Sequence, residues 1–252
     1  MSAGAHVGAG ARAGDGTPAG GAAAGTADRA LRVGLMVPAN NTTMARELPA
    51  WLPGGSSADT RKVPRGPGLL TRESVPAYVD AAIEVARGFA DAPPDLVAYG
   101  CTAAGFLMGP EADAALAARL HAVTGRPVVT AAGAMVEVLR REGASRVAVV
   151  TPYTEEVNRQ LVDYLERSGI GVARLETLGA TDTASLGRIT APEVDALARA
   201  TVDDSHDALF IACAQLPTFE ILDALRADLG RPVWSSIAAT ATLARELAAT
   251  HG

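Results

Sequence analysis

Two cysteines are the residues of this chain with the clearest capacity for chemistry. Cys101 and Cys213 are its only cysteines, and each ends a short apolar run, in the segments DLVAYGC and DALFIAC. A cysteine thiolate is a nucleophile, and a thiol can deliver a proton. Because ligands of open α/β sheets bind beyond the carboxyl ends of the strands, the two thiols are predicted to share one active site. Packing cysteines and a disulfide are the alternatives, and a reducing compartment disfavours the disulfide.

The chain repeats itself around these cysteines. Residues 32–38 (RVGLMVP) are echoed by residues 146–152 (RVAVVTP), and the GRPV of residues 125–128 returns at residues 230–233. These matches and the cysteine segments occur in the same order at a nearly constant offset, which predicts a tandem of two similar lobes. A pseudo-twofold axis between such lobes would aim the two thiols at opposite faces of one ligand.

Short apolar runs alternate with alanine-rich stretches of helical spacing, which predicts an α/β fold with mainly parallel strands. The expected strands are Leu31–Val37, Leu96–Tyr99, Val128–Thr130, Val147–Val150 and Leu209–Ala212. The expected helices are Val75–Phe89, Ala112–Val123, Ala134–Arg141, Glu155–Arg167, Pro192–Val202 and Phe219–Leu229, with a last helix near residues 236–249.

The predicted architecture is two pseudo-symmetric lobes, each a mainly parallel sheet flanked by helices, with the active site in the cleft between them. We expect residues 31–124 and 231–252 to form the first lobe and residues 125–230 the second. Residues 1–30 are almost entirely small and polar, so a disordered tail is predicted there.

Composition argues against several classes of function. The net charge of −6 disfavours a nucleic-acid partner. The sequence has no stretch of about 18 strongly apolar residues, so no membrane span is predicted. The four histidines lack metal-ligand spacing, so no metal site is predicted. No dinucleotide fingerprint follows a strand, and the only lysine, Lys62, lies in a loop-like run, so no cofactor is expected. Two cysteines without a secretory signal indicate a cytoplasmic protein.

Four segments resemble the aspartate/glutamate racemase superfamily, and within it the maleate cis–trans isomerases, relatives of arylmalonate decarboxylase. They are residues 34–44 (GLMVPANNTTM), residues 99–109 (YGCTAAGFLMG), the Pro152–Tyr153 pair and residues 212–218 (ACAQLPT). The Cys-x-Gln-x-Pro pattern in the last of these is more typical of maleate isomerases than of amino-acid racemases.

The resemblance implies that substrate carboxylates are held by the side chains of Asn41 and Tyr153 and by the backbone after each cysteine. Those backbone positions are Thr102, Ala103, Ala214 and Gln215. Helix capping by Asn41 and simple packing by Tyr153 remain the alternatives. Where the family carries an asparagine for the second carboxylate, this chain has Thr183, whose hydroxyl is shorter and donates one hydrogen bond.

Three functions are compatible with this pattern. In the first, the Cys101 thiolate adds to an alkene carbon of a maleate-like diacid, Cys213 protonates the other carbon, and rotation precedes elimination. In the second, the same pair racemises or decarboxylates a small acid at its α-carbon. In the third, the chain binds a small acid without catalysis. The expected partner is therefore a small carboxylic acid, and the sequence leaves open whether the chain forms a homo-oligomer.

Overall fold

The computed structural model describes residues 29–66 and 68–251, so residues 1–28 of the predicted tail lie outside the described residues. Within this part of the chain, eight strands form two sheets of four. The strands are β1 (Arg32–Pro38), β2 (Ser57–Val63), β3 (Leu96–Tyr99), β4 (Val128–Thr130), β5 (Val147–Thr151), β6 (Val172–Thr177), β7 (Ala208–Ile211) and β8 (Val233–Ser235).

The two sheets have the same topology. Their strand orders are β2-β1-β3-β4 and β6-β5-β7-β8, and every neighbouring pair is parallel. Each strand of the first sheet thus has a counterpart in the second, as the repeated sequence segments predict. The predicted fold class, with two lobes of parallel sheet flanked by helices, is confirmed.

Buried central strands were predictable from sequence, whereas exposed edge strands were not. Strands β3, β5 and β7 are buried at every residue, which gives the continuous apolar runs typical of parallel sheets. Edge strands β2 and β6 consist almost entirely of exposed or half-buried residues with polar residues interspersed, and β8 has only three residues, so none of the three was predicted. Lys62, expected in a loop, lies in β2 and donates to the backbone carbonyl of Asn41.

Ten α-helices connect or flank these strands in the described part of the chain. They are α1 (Met44–Glu47), α2 (Val75–Arg87), α3 (Thr102–Phe106), α4 (Pro110–Thr124), α5 (Ala131–Arg141), α6 (Glu155–Arg167), α7 (Thr183–Arg188), α8 (Ala191–Thr201), α9 (Leu222–Leu229) and α10 (Ser236–His251). None of the helices described is long and apolar enough to cross a membrane.

Helix α9 starts three residues later than predicted. The backbone N–H groups of Thr218 and Phe219 each donate to the Glu47 carboxylate, at 3.1 Å, instead of entering a helix. These bonds hold the segment before α9 in a turn against α1.

The sheets divide the chain differently from the predicted lobe boundaries. Strand β4 pairs with β3 in the first sheet, although residues 125–230 were assigned to the second lobe. Strand β8 pairs with β7 in the second sheet, although residues 231–252 were assigned to the first. The repeated GRPV segment therefore leads into the last strand of each sheet and does not mark a change of lobe. Helix α10 does cross back, because it packs against α5, β3 and β4.

Candidate active site

Cys101 lies where β3 turns into α3. It is the N-cap residue of that helix, with an extended backbone (φ −124°) and no hydrogen bond from its side chain to the first turn. Gly100, just before it, lies so close to β1 and α1 that a Cβ there would collide with Val37 and Met44. The missing side chain of Gly100 thus lets the end of β3 approach the loop after β1.

Cys213 follows β7 at the equivalent place in the second lobe, but its backbone is strained. Its φ of 143° is the only positive φ of a non-glycine residue in the described ranges. L-residues rarely adopt this conformation, and such strain is typically held in place at functional sites. It turns the thiol so that the N–H of Gln215 lies 3.5 Å from the sulfur.

This strain predicts an unusual order of stability. We expect the free energy of unfolding of Cys213→Gly to exceed that of Cys213→Ala by about 1–2 kcal/mol, because glycine adopts a positive φ without strain. The matched control is Ala212→Gly, one residue earlier, where the same loss of a buried methyl should lower stability. Urea denaturation of the four proteins measures this, and a Cys213→Gly protein less stable than Cys213→Ala would contradict the strain.

Both cysteines line one cavity of about 520 Å³, counting the open space at its mouth. All eight residues proposed from the sequence line it: Asn41, Cys101, Thr102, Ala103, Tyr153, Cys213, Ala214 and Gln215. Four leucine and valine side chains that the sequence did not single out also line it: Leu69, Leu70, Val157 and Leu186. The two thiols from equivalent strand ends therefore line the same cavity.

Asn41 and Gln215 bind the two lobes together beside the cavity. The Asn41 amide donates to the Ala214 carbonyl at 3.0 Å, and its Oδ1 accepts the N–H of Met44 at 3.0 Å. The Gln215 amide exchanges two hydrogen bonds with Thr42. The Asn41 side chain thus closes the turn before α1, whose N-cap is Thr43, and still keeps one amide N–H for a ligand. The Gln215 side chain thus holds its own loop against Thr42.

Ser236 connects the two cysteine loops and was missed by sequence reasoning. Its hydroxyl oxygen accepts the Thr102 hydroxyl and the Cys213 N–H, both at 3.0 Å. Ser236 is fully buried at the start of α10. The helix that returns to the first lobe therefore also fixes the backbone beside both thiols.

Burial favours the protonated form of both thiols. Burial raises the pKa of the Cys101 thiol to about 11, and the N–H of Ala104 offsets part of this rise. Burial also raises the pKa of Cys213, which the N–H of Gln215 and the Tyr153 hydroxyl partly offset. A negative charge on Cys213 raises the pKa of Cys101 further. Ionising one thiol therefore favours the proton on the other, which suits a pair with one nucleophile and one acid.

Each thiol has a buried tyrosine beside it. Tyr153 lies near Cys213 and Thr102, and its ring packs edge-on against Phe106 with centroids 5.5 Å apart. Tyr78, on α2, lies near Cys101 and lowers the pKa of that thiol. Neither hydroxyl has a hydrogen-bond partner. Because buried hydroxyls are usually satisfied, the hydroxyl of Tyr153, which lines the cavity, is a donor prepared for a ligand.

Tyr153→Phe is expected to separate stability from activity. It removes a buried hydroxyl with no partner, so the free energy of unfolding should not fall. The kcat/KM for the isomerisation that the resemblance implies should drop about 10–100-fold, the cost of one hydrogen bond to a charged group. The control is Tyr164→Phe, whose hydroxyl bonds to buried Asp113 at 3.3 Å outside the cavity, and which should lose stability and keep its kinetics. An unchanged kcat/KM in Tyr153→Phe would remove that residue from the site.

Thr183 is the first residue of α7 and is half-buried, but it does not line the cavity. The residue that α7 contributes to the wall is Leu186. The side of the cavity where the resemblance implied an amide is thus apolar in this protein.

Comparison with known proteins identifies the family of this chain. The family described as arylmalonate decarboxylase matches residues 33–251. The maleate isomerase of Nocardia farcinica is 31% identical over 218 residues, 83% of this chain and 87% of that protein. The maleate isomerase of Geobacillus stearothermophilus is 28% identical over 226 residues, with 83% and 88% covered.

Solved structures of maleate isomerases have the same fold as this chain. One is a cysteine-to-serine mutant of the Nocardia farcinica maleate cis–trans isomerase with a covalently bound succinylcysteine intermediate. It superposes with a TM-score of 0.77 at 30% identity, over 86% of this chain and 91% of that one. The resemblance seen in the cysteine segments is confirmed over nearly the whole described chain, which therefore belongs to the arylmalonate decarboxylase family together with the maleate isomerases.

Proposed function

We propose that this protein is a cofactor-independent cis–trans isomerase of a maleate-like unsaturated diacid. The observation that carries the proposal is the placement of two buried thiols, from equivalent positions of two lobes, around one cavity. The relatives named maleate isomerase support the reaction, and the succinylcysteine of one of them supports a covalent route.

The reactive form of the pair carries one proton, with Cys101 as thiolate and Cys213 as thiol. The Cys101 sulfur adds to one alkene carbon, and the proton of Cys213 moves to the other carbon, which leaves a succinyl thioether and a Cys213 thiolate. The former double bond is now single and rotates. The Cys213 thiolate then takes a proton back from its carbon as the C–S bond to Cys101 breaks, and the trans alkene leaves.

Hydrogen-bond donors of the cavity would hold the substrate during rotation. The unpartnered hydroxyl of Tyr153 and the remaining amide N–H of Asn41 suit a carboxylate. The first N–H groups of α3, at Thr102 and Ala103, have no acceptor within the helix and face the same space. One carboxylate held in this way stays fixed while the other end of the succinyl group turns.

Proton NMR of maleate incubated with the purified, EDTA-treated protein tests the proposal. We expect fumarate to form without any added cofactor, and no fumarate with heat-denatured protein. An arylmalonate incubated in parallel should remain unchanged. If the arylmalonate loses CO2 and maleate does not react, the protein acts at the α-carbon of its substrate and the isomerase proposal is wrong. Binding of both acids without turnover of either would instead indicate a binding protein.

A further inference from the structure

Arg65 is the only ionisable side chain, apart from the cysteines and Tyr153, among the described residues that line the cavity. It lies in the connection between β2 and α2. One guanidinium nitrogen donates to Asn40 Oδ1 at 3.3 Å, and another donates to the Gly68 carbonyl. Its Nε is buried and has no partner. Its hydrogen bonds thus all go to neutral oxygens, and no carboxylate among the described residues balances its charge at the cavity.

The charge of Arg65 acts on both thiols. It lowers the pKa of Cys101 and of Cys213, so the guanidinium lies within electrostatic range of both reacting groups. A half-buried cation beside apolar Leu69 and Leu70 is costly unless an anion joins it. A planar guanidinium with free N–H groups is well suited to a carboxylate.

The reaction itself calls for such a cation. A diacid and one thiolate place three negative charges in a single cavity, and the donors around Tyr153 and Asn41 are neutral. On the opposite side, α7 contributes only Leu186. A second carboxylate would therefore find its partner on the connection between β2 and α2.

We propose that Arg65 selects dianionic substrates by pairing with the second carboxylate of a cis-unsaturated diacid. This inference rests on the proposed function for its substrate class. The resemblance implied that an amide side chain at the position of Thr183 binds the second carboxylate. Here the Arg65 guanidinium is assigned that contact. A substrate whose second carboxylate is replaced by a neutral amide would lose this contact and keep all others.

The test compares maleate with maleamate, its monoamide, in the wild type, Arg65→Gln and the charge-matched control Arg72→Gln. Arg72 donates to the Leu107 carbonyl and does not line the cavity. We expect Arg65→Gln to lower kcat/KM for maleate about 10–100-fold, the value of a charge-assisted pair, mainly through KM. The kcat/KM for maleamate should fall less than about threefold, the part that comes from the higher pKa of both thiols without the Arg65 charge, and Arg72→Gln should match the wild type for both. Equal losses for the two substrates, or no loss for either, would overturn the proposal.

Calorimetry keeps this test independent of turnover. Succinate, a saturated dianion, should bind the wild type at least about tenfold more tightly than Arg65→Gln, whereas succinamate should bind both alike. If maleate is not isomerised but succinate binding depends on Arg65, the isomerase proposal fails and the assignment of Arg65 to a carboxylate stands. If maleate is isomerised and succinate binds Arg65→Gln as well as it binds the wild type, Arg65 has no role in selecting dianions.

Discussion

Cys101→Ser is expected to reduce maleate turnover by about 10³-fold or more. A serine hydroxyl ionises far less readily than a thiol, and it needs a general base to attack a carbon. Among the described residues, no histidine, aspartate or glutamate lines the cavity to act as that base. Fumarate formation by the purified variant, followed by NMR, measures the loss.

Binding separates this loss from misfolding. Serine is close to cysteine in size, so Cys101→Ser should unfold near the wild-type temperature and still bind succinate in calorimetry. A variant that keeps a tenth or more of the wild-type kcat would remove Cys101 from the role of nucleophile. A variant that neither turns over nor binds would show instead that Cys101 is needed to form the cavity.

Cys213→Ser is expected to lose about 10²–10⁴-fold in kcat, the range for removal of a proton-transfer group. The Cys101 thiol is still present, and without Cys213 it lacks the neighbour whose negative charge raises its pKa. Addition to the alkene should therefore continue, with the second carbon taking its proton from water in place of Cys213, while a serine hydroxyl cannot take the proton back from carbon as the thiolate leaves. The single-turnover rate of fumarate release should fall far more than the rate at which Cys101 is consumed.

Reaction with iodoacetamide gives the control for this prediction. Alkylation of Cys101 should be at least as fast in Cys213→Ser as in the wild type, because the loss of Cys213 does not remove the N–H of Ala104 from the thiol. Equal losses of alkylation and of fumarate release would mean that Cys213 serves to activate Cys101 and not to move a proton to carbon.

The central fold and the cysteine pair were predictable because their signals are local and repeated. Two cysteines at matching positions of a tandem repeat, each at the end of a buried strand, leave little freedom for where they meet. The lobe boundaries were not predictable, because the GRPV repeat precedes the strand that closes each sheet and reads equally well as the start of a lobe. Strands β2 and β6 were not predicted, because these edge strands carry no continuous apolar run.

The remaining site residues depend on tertiary structure. Tyr78 reaches Cys101 only through the docking of α2, and Arg65 reaches the cavity only through the path of the chain after β2. Ser236 could have been found from the sequence, because it holds the same position after the second GRPV segment as Ala131 holds after the first. Its contact with both cysteine loops still depends on α10 crossing to the first lobe.

Peptide mass spectrometry of Cys213→Ser after incubation with maleate tests most directly whether the two cysteines have different roles on one substrate. The peptide that contains Cys101 should gain the mass of one maleic acid molecule, and the gain should be absent from Cys101→Ser treated in the same way. An adduct on Cys213 in the Cys101→Ser protein, with none on Cys101 in Cys213→Ser, would contradict the assignment of Cys101 as the nucleophile and of Cys213 as the acid.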